Sequence, residues 1–151
     1  MHVLRAEKGF IIVGQDTDGS MTPADMNMDW IVGKNKAFSF IGQRSLSRSD
    51  TLRDNRKQLV GLKTIDPTIV LPEGAQIVND PKQPIPMAMQ GHVTSSYYSA
   101  NMGHSIALAV VKGGLNRLGD TVYCPTADGT TVPAQIVSSV FYDPKGERQH
   151  V

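Results

Sequence analysis

The stretch from Leu4 to Trp30 reads LRAEKGFIIVGQDTDGSMTPADMNMDW and combines several structural signals in a short span. Glu7 stands two residues before Gly9, so the backbone can bend beside a carboxylate and present it to a ligand from a defined turn. A run of turn-forming residues, 14–19, follows. The same pattern also suits a helix end followed by a surface turn. The residue types alone leave both interpretations open.

The composition is typical of a globular chain with one or two small domains, at 151 residues, 40% hydrophobic and 19% charged. A net charge of +1 gives no basis for binding nucleic acid or an anionic membrane. The longest aliphatic run, 106–111, is too short to cross a bilayer. The lone Cys124 excludes an intrachain disulfide, favours a reducing, cytoplasmic setting and is expected to be buried.

The first third of the chain is predicted to be mixed and mostly helical. Residues 1–8 resemble the last turns of a helix that stops at a glycine, and 10–13 form a short apolar run typical of a strand or a buried extended segment. A helix is expected to begin at Thr22–Pro23, with Trp30 anchored in the core. A second short helix is predicted over 40–48. The helical pattern begins almost at the first residue, which suggests a piece of a longer chain.

The rest of the chain changes to short strands separated by turn residues. This even spacing is the signature of an antiparallel sandwich or barrel. The sequence thus predicts an α+β protein, with a helical segment over residues 1–55 and a β-domain over 56–151. The predicted strands are 59–62, 76–78, 91–98, 105–111, 121–124 and 131–138.

No catalytic or metal-binding constellation emerges from the residues. There is no dinucleotide fingerprint, no phosphate loop and no histidine spaced from a second ligand as metal sites require. A serine-histidine pair between His92 and Ser95 or Ser96 is conceivable. However, His92, Thr94 and Ser96 are expected to alternate onto one polar strand face, which needs no catalytic role. Ala107 and Ala109 are expected to face away from Leu108 on their strand.

The opening stretch, continued by Gly33–Lys34, resembles the folate-binding fold of the glycine cleavage T-protein, or aminomethyltransferase. The family pattern is Arg-x-Glu-x-Gly, then Gly-x-Asp, then Thr-Pro and a tryptophan before Gly-Lys. Further motifs follow in family order at 40–46, 60–62, 73–75 and 91–96. Within this superfamily, 7–19 and 93–99 are similar to the alpha subunits of heterotetrameric sarcosine oxidases. The resemblance implies an aminomethyltransferase-type β-barrel at the C-terminal end of a much longer subunit.

That resemblance also implies a function for the parent protein: the one-carbon unit of sarcosine is captured by tetrahydrofolate as 5,10-methylenetetrahydrofolate. It assigns folate binding to Glu7, which would hold the pterin ring, and to Lys36, where the T-protein has a basic residue. A lysine there loses the planar contact of an arginine and keeps a point charge. Gly9, Gly14 and Asp16 would support the turn around the glutamate.

The resemblance places FAD, FMN and NAD in other parts of the complex, so no catalytic residue is expected in this chain. Expected partners are the other oxidase subunits and the upstream part of the same subunit. No nucleic acid or membrane partner is expected. Two alternatives remain open at this point. One is an aminomethyltransferase or dimethylglycine dehydrogenase-like folate region, and the other is a β-domain that serves only subunit assembly.

Overall fold

A six-stranded antiparallel sheet dominates the structure, a computed structural model that describes residues 1–33 and 35–150. One α-helix, α1, spans His2–Glu7. The strands are β1 Lys57–Thr64, β2 Gln76–Ile77, β3 Gly91–Ser99, β4 His104–Lys112, β5 Thr121–Pro125 and β6 Thr131–Val137. Short 3-10 turns occupy Asp29–Ile31, Gln43–Ser47, Gly114–Arg117 and Glu147–Gln149.

The sheet closes into a barrel through its two outer strands. The strand order is β2-β3-β4-β1-β6-β5, with every neighbouring pair antiparallel. Val78, directly after β2, exchanges two backbone hydrogen bonds with Tyr123 of β5, at 2.9 and 3.0 Å. This pairing joins the two edges of the sheet. This closure confirms the predicted barrel-like β-domain.

The main core fills the inside of the barrel. Alternate residues of each strand point inward, which is the period-two pattern predicted from the sequence. On β4 the inward residues include Ala107 and Ala109, and Leu108 points to the outer face, as expected. The small alanines leave room for larger side chains from other strands, which are fully or almost fully buried: Val60, Leu62, Ile77, Val93, Val122 and Ile136. Cys124 is buried in this core, as predicted.

A second, smaller cluster lies on the outer face, where residues 11–28 cover β1 and β4. Met26, Leu59 and Leu108 are its buried members, and Ile11 and Phe141 pack against them. This cluster explains why β4 is buried on both faces. It also fixes the amino-terminal segment on the barrel wall, which positions α1 beside β3.

The helical part of the α+β prediction is not confirmed, because residues 1–33 and 35–150 contain a single short α-helix. The helix predicted to begin at Thr22 does not form, although the side chains and backbones of Thr22 and Asp25 make the reciprocal bonds of a helix cap. The chain does not continue as a helix because Asn27 adopts a φ of 58°, and the carbonyl of Asp25 accepts a bond from the backbone of Leu59. Tertiary contacts therefore override the helix signal.

Three further predictions for the first third need correction. Residues 10–13 form no strand, because the N–H of Ile12 donates to the Asp16 side chain and its carbonyl accepts from the Asp16 backbone. The predicted helix over 40–48 is a 3-10 turn, Gln43–Ser47. Trp30 is not a core anchor, since it is 82% exposed. The end of α1 is as predicted. The proposed domain boundary between residues 55 and 56 stays a prediction.

No helix in the described part of the chain is long and apolar enough to span a membrane.

Candidate functional site

The turn after α1 determines where Glu7 lies. The N–H of Gly9 bonds to the carbonyl of Ala6 at 3.0 Å, and that of Phe10 to the carbonyl of Arg5 at 2.9 Å. These are the two bonds of a Schellman motif, with Gly9 at the left-handed position (φ 72°). A Cβ on Gly9 would lie 2.7 Å from the carbonyl oxygen of Ser139. Gly9 thus ends the helix and admits the C-terminal segment.

The C-terminal segment holds α1 from the other side. The carbonyl of Glu7 accepts hydrogen bonds from the backbones of Phe141 and Tyr142, at 2.9 and 3.0 Å. The Lys8 ammonium donates to the carbonyl of Asp143 at 2.6 Å and lies 3.3 Å from its carboxylate. The Glu7 backbone is therefore fixed by residues more than a hundred positions away in the chain.

The carboxylate of Glu7 is buried, with 2% of the residue exposed. The Ser99 hydroxyl at the end of β3 donates to Oε1 at 2.6 Å. The Asn101 amide, in the turn between β3 and β4, donates to Oε1 at 3.2 Å and to Oε2 at 2.9 Å. Within residues 1–33 and 35–150, Glu7 forms no ion pair. A buried carboxylate held only by neutral donors retains acceptor capacity for further N–H groups.

Asp16 is the centre of a second buried cluster beside the first, with 1% of the residue exposed. Its Oδ2 accepts from the Arg5 guanidinium at 2.5 Å and from the backbone N–H of Ile12 at 2.8 Å. Its Oδ1 accepts from the hydroxyls of Thr94 and Ser95, at 2.5 and 2.7 Å. This one carboxylate thereby connects α1, the following turn and β3.

A β-bulge in β3 brings the two hydroxyls to Asp16. Val93 pairs with Ala109 and Ser95 with Leu108, which leaves Thr94 as an extra residue in its strand. Because the bulge interrupts the alternation, Thr94 and Ser95 both reach the outer face. The predicted common face of His92, Thr94 and Ser96 is therefore wrong. Ser96, opposite the inward-facing Ala107, has a buried hydroxyl without a hydrogen-bond partner among the described residues.

The electrostatics of Asp16 follow from these contacts. Burial disfavours its charged form. The hydrogen bonds from Thr94, Ile12 and Ser95, together with the positive charge of Arg5, outweigh burial and hold the pKa of Asp16 below its ordinary value. The carboxylate is thus ionised at neutral pH and pairs with Arg5. The guanidinium of Arg5 also donates to the Ser95 hydroxyl at 2.6 Å.

Gly14 begins the turn that delivers Asp16, and its φ of 92° favours glycine. The next residue, Gln15, donates from its amide to the carbonyl of Thr94 at 3.3 Å and to the hydroxyl of Ser95 at 3.1 Å. Gly14 and Asp16 therefore fix the turn that follows α1, and their part in a folate site stays a prediction.

Lys36 lies apart from these clusters. It is exposed, and its ammonium is 4.8 Å from the centre of the Phe40 ring. The hydrogen bonds and ion pairs of Glu7 and Asp16 among the described residues do not involve Lys36. Lys34, part of the Gly33–Lys34 motif, lies outside the described residues.

Neither Ser95 nor Ser96 is positioned to pair with His92. The Ser95 hydroxyl is engaged by Asp16 and Arg5, and Ser96 points into the barrel. Burial and the nearby charge of Lys57 lower the pKa of His92. In the described part of the chain, no group of three His, Cys, Asp or Glu side chains is placed to hold a metal ion.

Sequence reasoning missed Ser99 and Asn101 as partners of Glu7, and Arg5 as the partner of Asp16. The distance along the chain, more than ninety residues for Ser99 and Asn101, leaves no local signal for those contacts. Arg5 stands two residues before Glu7 in the quoted motif, and this position was the available signal. Arg56 was also missed. It binds Asp25 in a forked contact, with bonds of 2.6 to 3.0 Å.

Comparison with known proteins relates this arrangement to one family. Residues 57–143 match the model of the glycine cleavage T-protein C-terminal barrel domain. The chain is 46% identical over 155 aligned residues to sarcosine oxidase subunit alpha of Corynebacterium sp. (strain U-96), an alignment that covers 99% of this chain and 15% of that protein. The chain therefore spans about 15% of the length of that relative.

Aminomethyltransferases are similar over much of the chain as well. The enzyme of Nostoc sp. (strain PCC 7120) is 31% identical over 139 residues, covering 92% of this chain and 35% of the relative. The crystal structure of glycine cleavage system aminomethyltransferase T from Bartonella henselae matches with a TM-score of 0.78, over 95% of this chain and 38% of the other. At 23% identity, this match establishes the fold alone.

Proposed function

Because this chain belongs to the family of the glycine cleavage T-protein C-terminal barrel domain, we propose that it is part of a sarcosine oxidase alpha subunit and contributes to its tetrahydrofolate site. The observation that carries the proposal is the 46% identity over 99% of the chain to such a subunit. The aminomethyltransferase match, at 31%, is weaker. The parent protein is accordingly proposed to be an oxidoreductase, with other subunits and an upstream part of the same chain as partners.

In the proposed reaction the N-methyl carbon of sarcosine loses two electrons, which dioxygen takes up as hydrogen peroxide. The carbon then passes to two nitrogens of tetrahydrofolate as glycine leaves. Following the resemblance to sarcosine oxidase alpha subunits, we place FAD, FMN and NAD in other parts of the complex. This chain supplies groups that bind and orient the folate.

Glu7 is the residue proposed to hold the pterin ring. Its carboxylate is fixed by Ser99 and carries no ion pair within the described residues, so it can accept the ring amino group and the adjacent N–H as two parallel hydrogen bonds. Two such bonds determine which edge of the ring faces the reacting carbon. The structure therefore offers acceptors that suit the donors of the ligand.

Lys36 is proposed to contact the anionic glutamate tail of the folate. Its side chain is exposed and carries a single positive charge that can pair with a carboxylate. Gly9, Gly14 and Asp16 are proposed to act indirectly, because they fix the turn that carries Glu7.

The proposal is tested by product analysis of the intact oxidase carrying Glu7→Gln. This change keeps the side-chain size and replaces one acceptor oxygen with an NH2 group. We expect the tetrahydrofolate concentration that gives half-maximal methylenetetrahydrofolate per hydrogen peroxide to rise more than tenfold, the effect of one or two charged hydrogen bonds. The exposed Glu147→Gln is the matched control and should keep the wild-type value. An unchanged half-maximal concentration in Glu7→Gln would refute the role of Glu7.

The aminomethyltransferase or dimethylglycine dehydrogenase-like alternative rests on a weaker observation, the 31% identity of the Nostoc aminomethyltransferase over 92% of this chain. The two readings differ in the chemistry of the whole protein. A sarcosine oxidase forms hydrogen peroxide from sarcosine and oxygen, and an aminomethyltransferase does not. Peroxide formation by the full-length protein with sarcosine therefore distinguishes them.

A further inference from the structure

The two residues that bind the Glu7 carboxylate differ in their own surroundings. Ser99 is completely buried, and its hydroxyl both donates to Oε1 and accepts the N–H of Met102 at 3.1 Å. Asn101 is an exposed residue whose amide donates to both oxygens of the carboxylate. The buried Ser99 can therefore stay bonded to the Glu7 carboxylate when a ligand binds, whereas the exposed Asn101 can leave it.

Asn101 uses the acceptor positions that a ligand with two parallel N–H groups needs. Its nitrogen donates to Oε1 at 3.2 Å and to Oε2 at 2.9 Å, so one atom is shared between both oxygens. A planar ring with an amino group and an adjacent N–H would place a separate donor on each oxygen. With Asn101 in place, the 2% exposure of Glu7 leaves no free approach for such a ring.

We propose that the Asn101 amide occupies the place of the ligand's donors and is displaced from the Glu7 carboxylate when folate binds. This inference rests on the proposed function, since it concerns the same carboxylate. Ser99 remains bonded to Oε1 throughout and keeps the carboxylate in its orientation. Asn101 is thus a residue that sets the affinity and rate of binding, without contacting the reacting atoms.

Physical reasons explain why Asn101, and not Ser99, would give way to the ligand. The released amide of Asn101 regains hydrogen bonds to water because the side chain is already at the surface. Its turn is held by the bond from Met102 to Ser99 and by a longer one, 3.4 Å, between the N–H of Gly103 and the carbonyl of Ala100, and neither bond involves the Asn101 side chain. Ser99 has no such alternative, since a hydroxyl buried to 0% exposure would lose its partner outright.

The test compares variants of the full-length, assembled oxidase by stopped-flow and equilibrium titration with tetrahydrofolate. In Asn101→Ala, the competing donor is absent. We expect a faster association and a Kd about threefold to tenfold lower than wild type, the range of one net hydrogen bond. In Ser99→Ala, the carboxylate loses its fixed donor, and Kd should rise. Asn116→Ala, another exposed asparagine, is the control and should leave both constants unchanged.

The outcomes separate this inference from the function on which it rests. If Glu7→Gln weakens binding but Asn101→Ala weakens it too, or leaves Kd and the association rate unchanged, the exchange is refuted and the folate role of Glu7 stands. If Glu7→Gln binds tetrahydrofolate as wild type does, the proposed function fails and the inference fails with it.

Discussion

Asp16 is the residue on which the attachment of α1 to the barrel depends most. It accepts four hydrogen bonds while buried, one of them from the Arg5 guanidinium, whose side chain is 11% exposed. Asp16→Asn would leave this guanidinium without its counter-charge and should lower the free energy of unfolding by about 3 kcal/mol. Urea denaturation measures the change. The exposed Asp54→Asn is the control, and a loss for Asp16→Asn no larger than for Asp54→Asn would contradict the account.

The lowered pKa of Asp16 makes this contribution depend on pH. A carboxyl whose pKa is lower in the folded than in the unfolded state stabilises the fold above the unfolded value, about 3.9. The stabilisation is lost as pH falls through the folded value. The difference between wild type and Asp16→Asn should therefore be full at pH 7 and shrink below about pH 4. A difference that stays constant down to pH 3 would show that the charge of Asp16 contributes nothing.

The strands could be predicted from the sequence, and the bulge could not. Strand pattern and turn residues are local, so all six strands were expected within a few residues of their positions. The bulge at Thr94 depends on pairing with β4, and it decides that Thr94 and Ser95 both meet Asp16. A period-two pattern read along one strand contains no information about an extra residue in the partner register.

The helix predicted from Thr22 is the reverse case, because here the sequence predicted an element that the structure lacks. Its local signal was sound, and the capping contacts between Thr22 and Asp25 do form. Arg56, which is distant in sequence, forms an ion pair with Asp25. Asn27 adopts a positive φ that ends the helical conformation. Short segments that pack on a barrel wall are shaped by such long-range contacts more than by propensity.

Gly61 allows β1 and the C-terminal segment to approach each other. A Cβ at this position would lie 2.3 Å from the carbonyl of Ser138 and 2.7 Å from the ring of Phe141. Gly61→Ala should therefore push away the segment whose backbone bonds to Glu7, and lower the free energy of unfolding by about 1–3 kcal/mol. Chemical denaturation tests this. Gly19→Ala, with nothing within 4 Å, should change it by less than about 0.5 kcal/mol, and equal effects of the two would contradict the packing described.

For the molecule as a whole, exposed large apolar side chains occur in both parts and are most frequent in the segment before the barrel. Several large apolar side chains of the first 52 residues are exposed, among them Trp30, Phe38 and Ile41 at 82%, 71% and 104%. Side chains of this size in such numbers are typical of interaction surfaces. They fit the proposal that other parts of an oxidase pack against this segment. The same exposed side chains are also consistent with a role in subunit assembly, in addition to the proposed folate role.

Trp30 is the single tryptophan of the chain, so its fluorescence reports on this surface directly. Because it is exposed, acrylamide should quench its emission almost as efficiently as that of a free tryptophan analogue. The 151-residue chain needs no substitution for this measurement. Strong protection from the quencher would contradict the exposed position of Trp30 and indicate that it is buried, as the sequence predicted.

The central claim is that Glu7 binds folate in the parent enzyme, and calorimetric titration of tetrahydrofolate into the assembled full-length protein tests it most directly. The wild type and Glu7→Gln are compared at the same pH, with Glu147→Gln beside them. The account predicts that Kd rises more than tenfold in Glu7→Gln and is unchanged in Glu147→Gln. Equal affinity of the wild type and Glu7→Gln would contradict it.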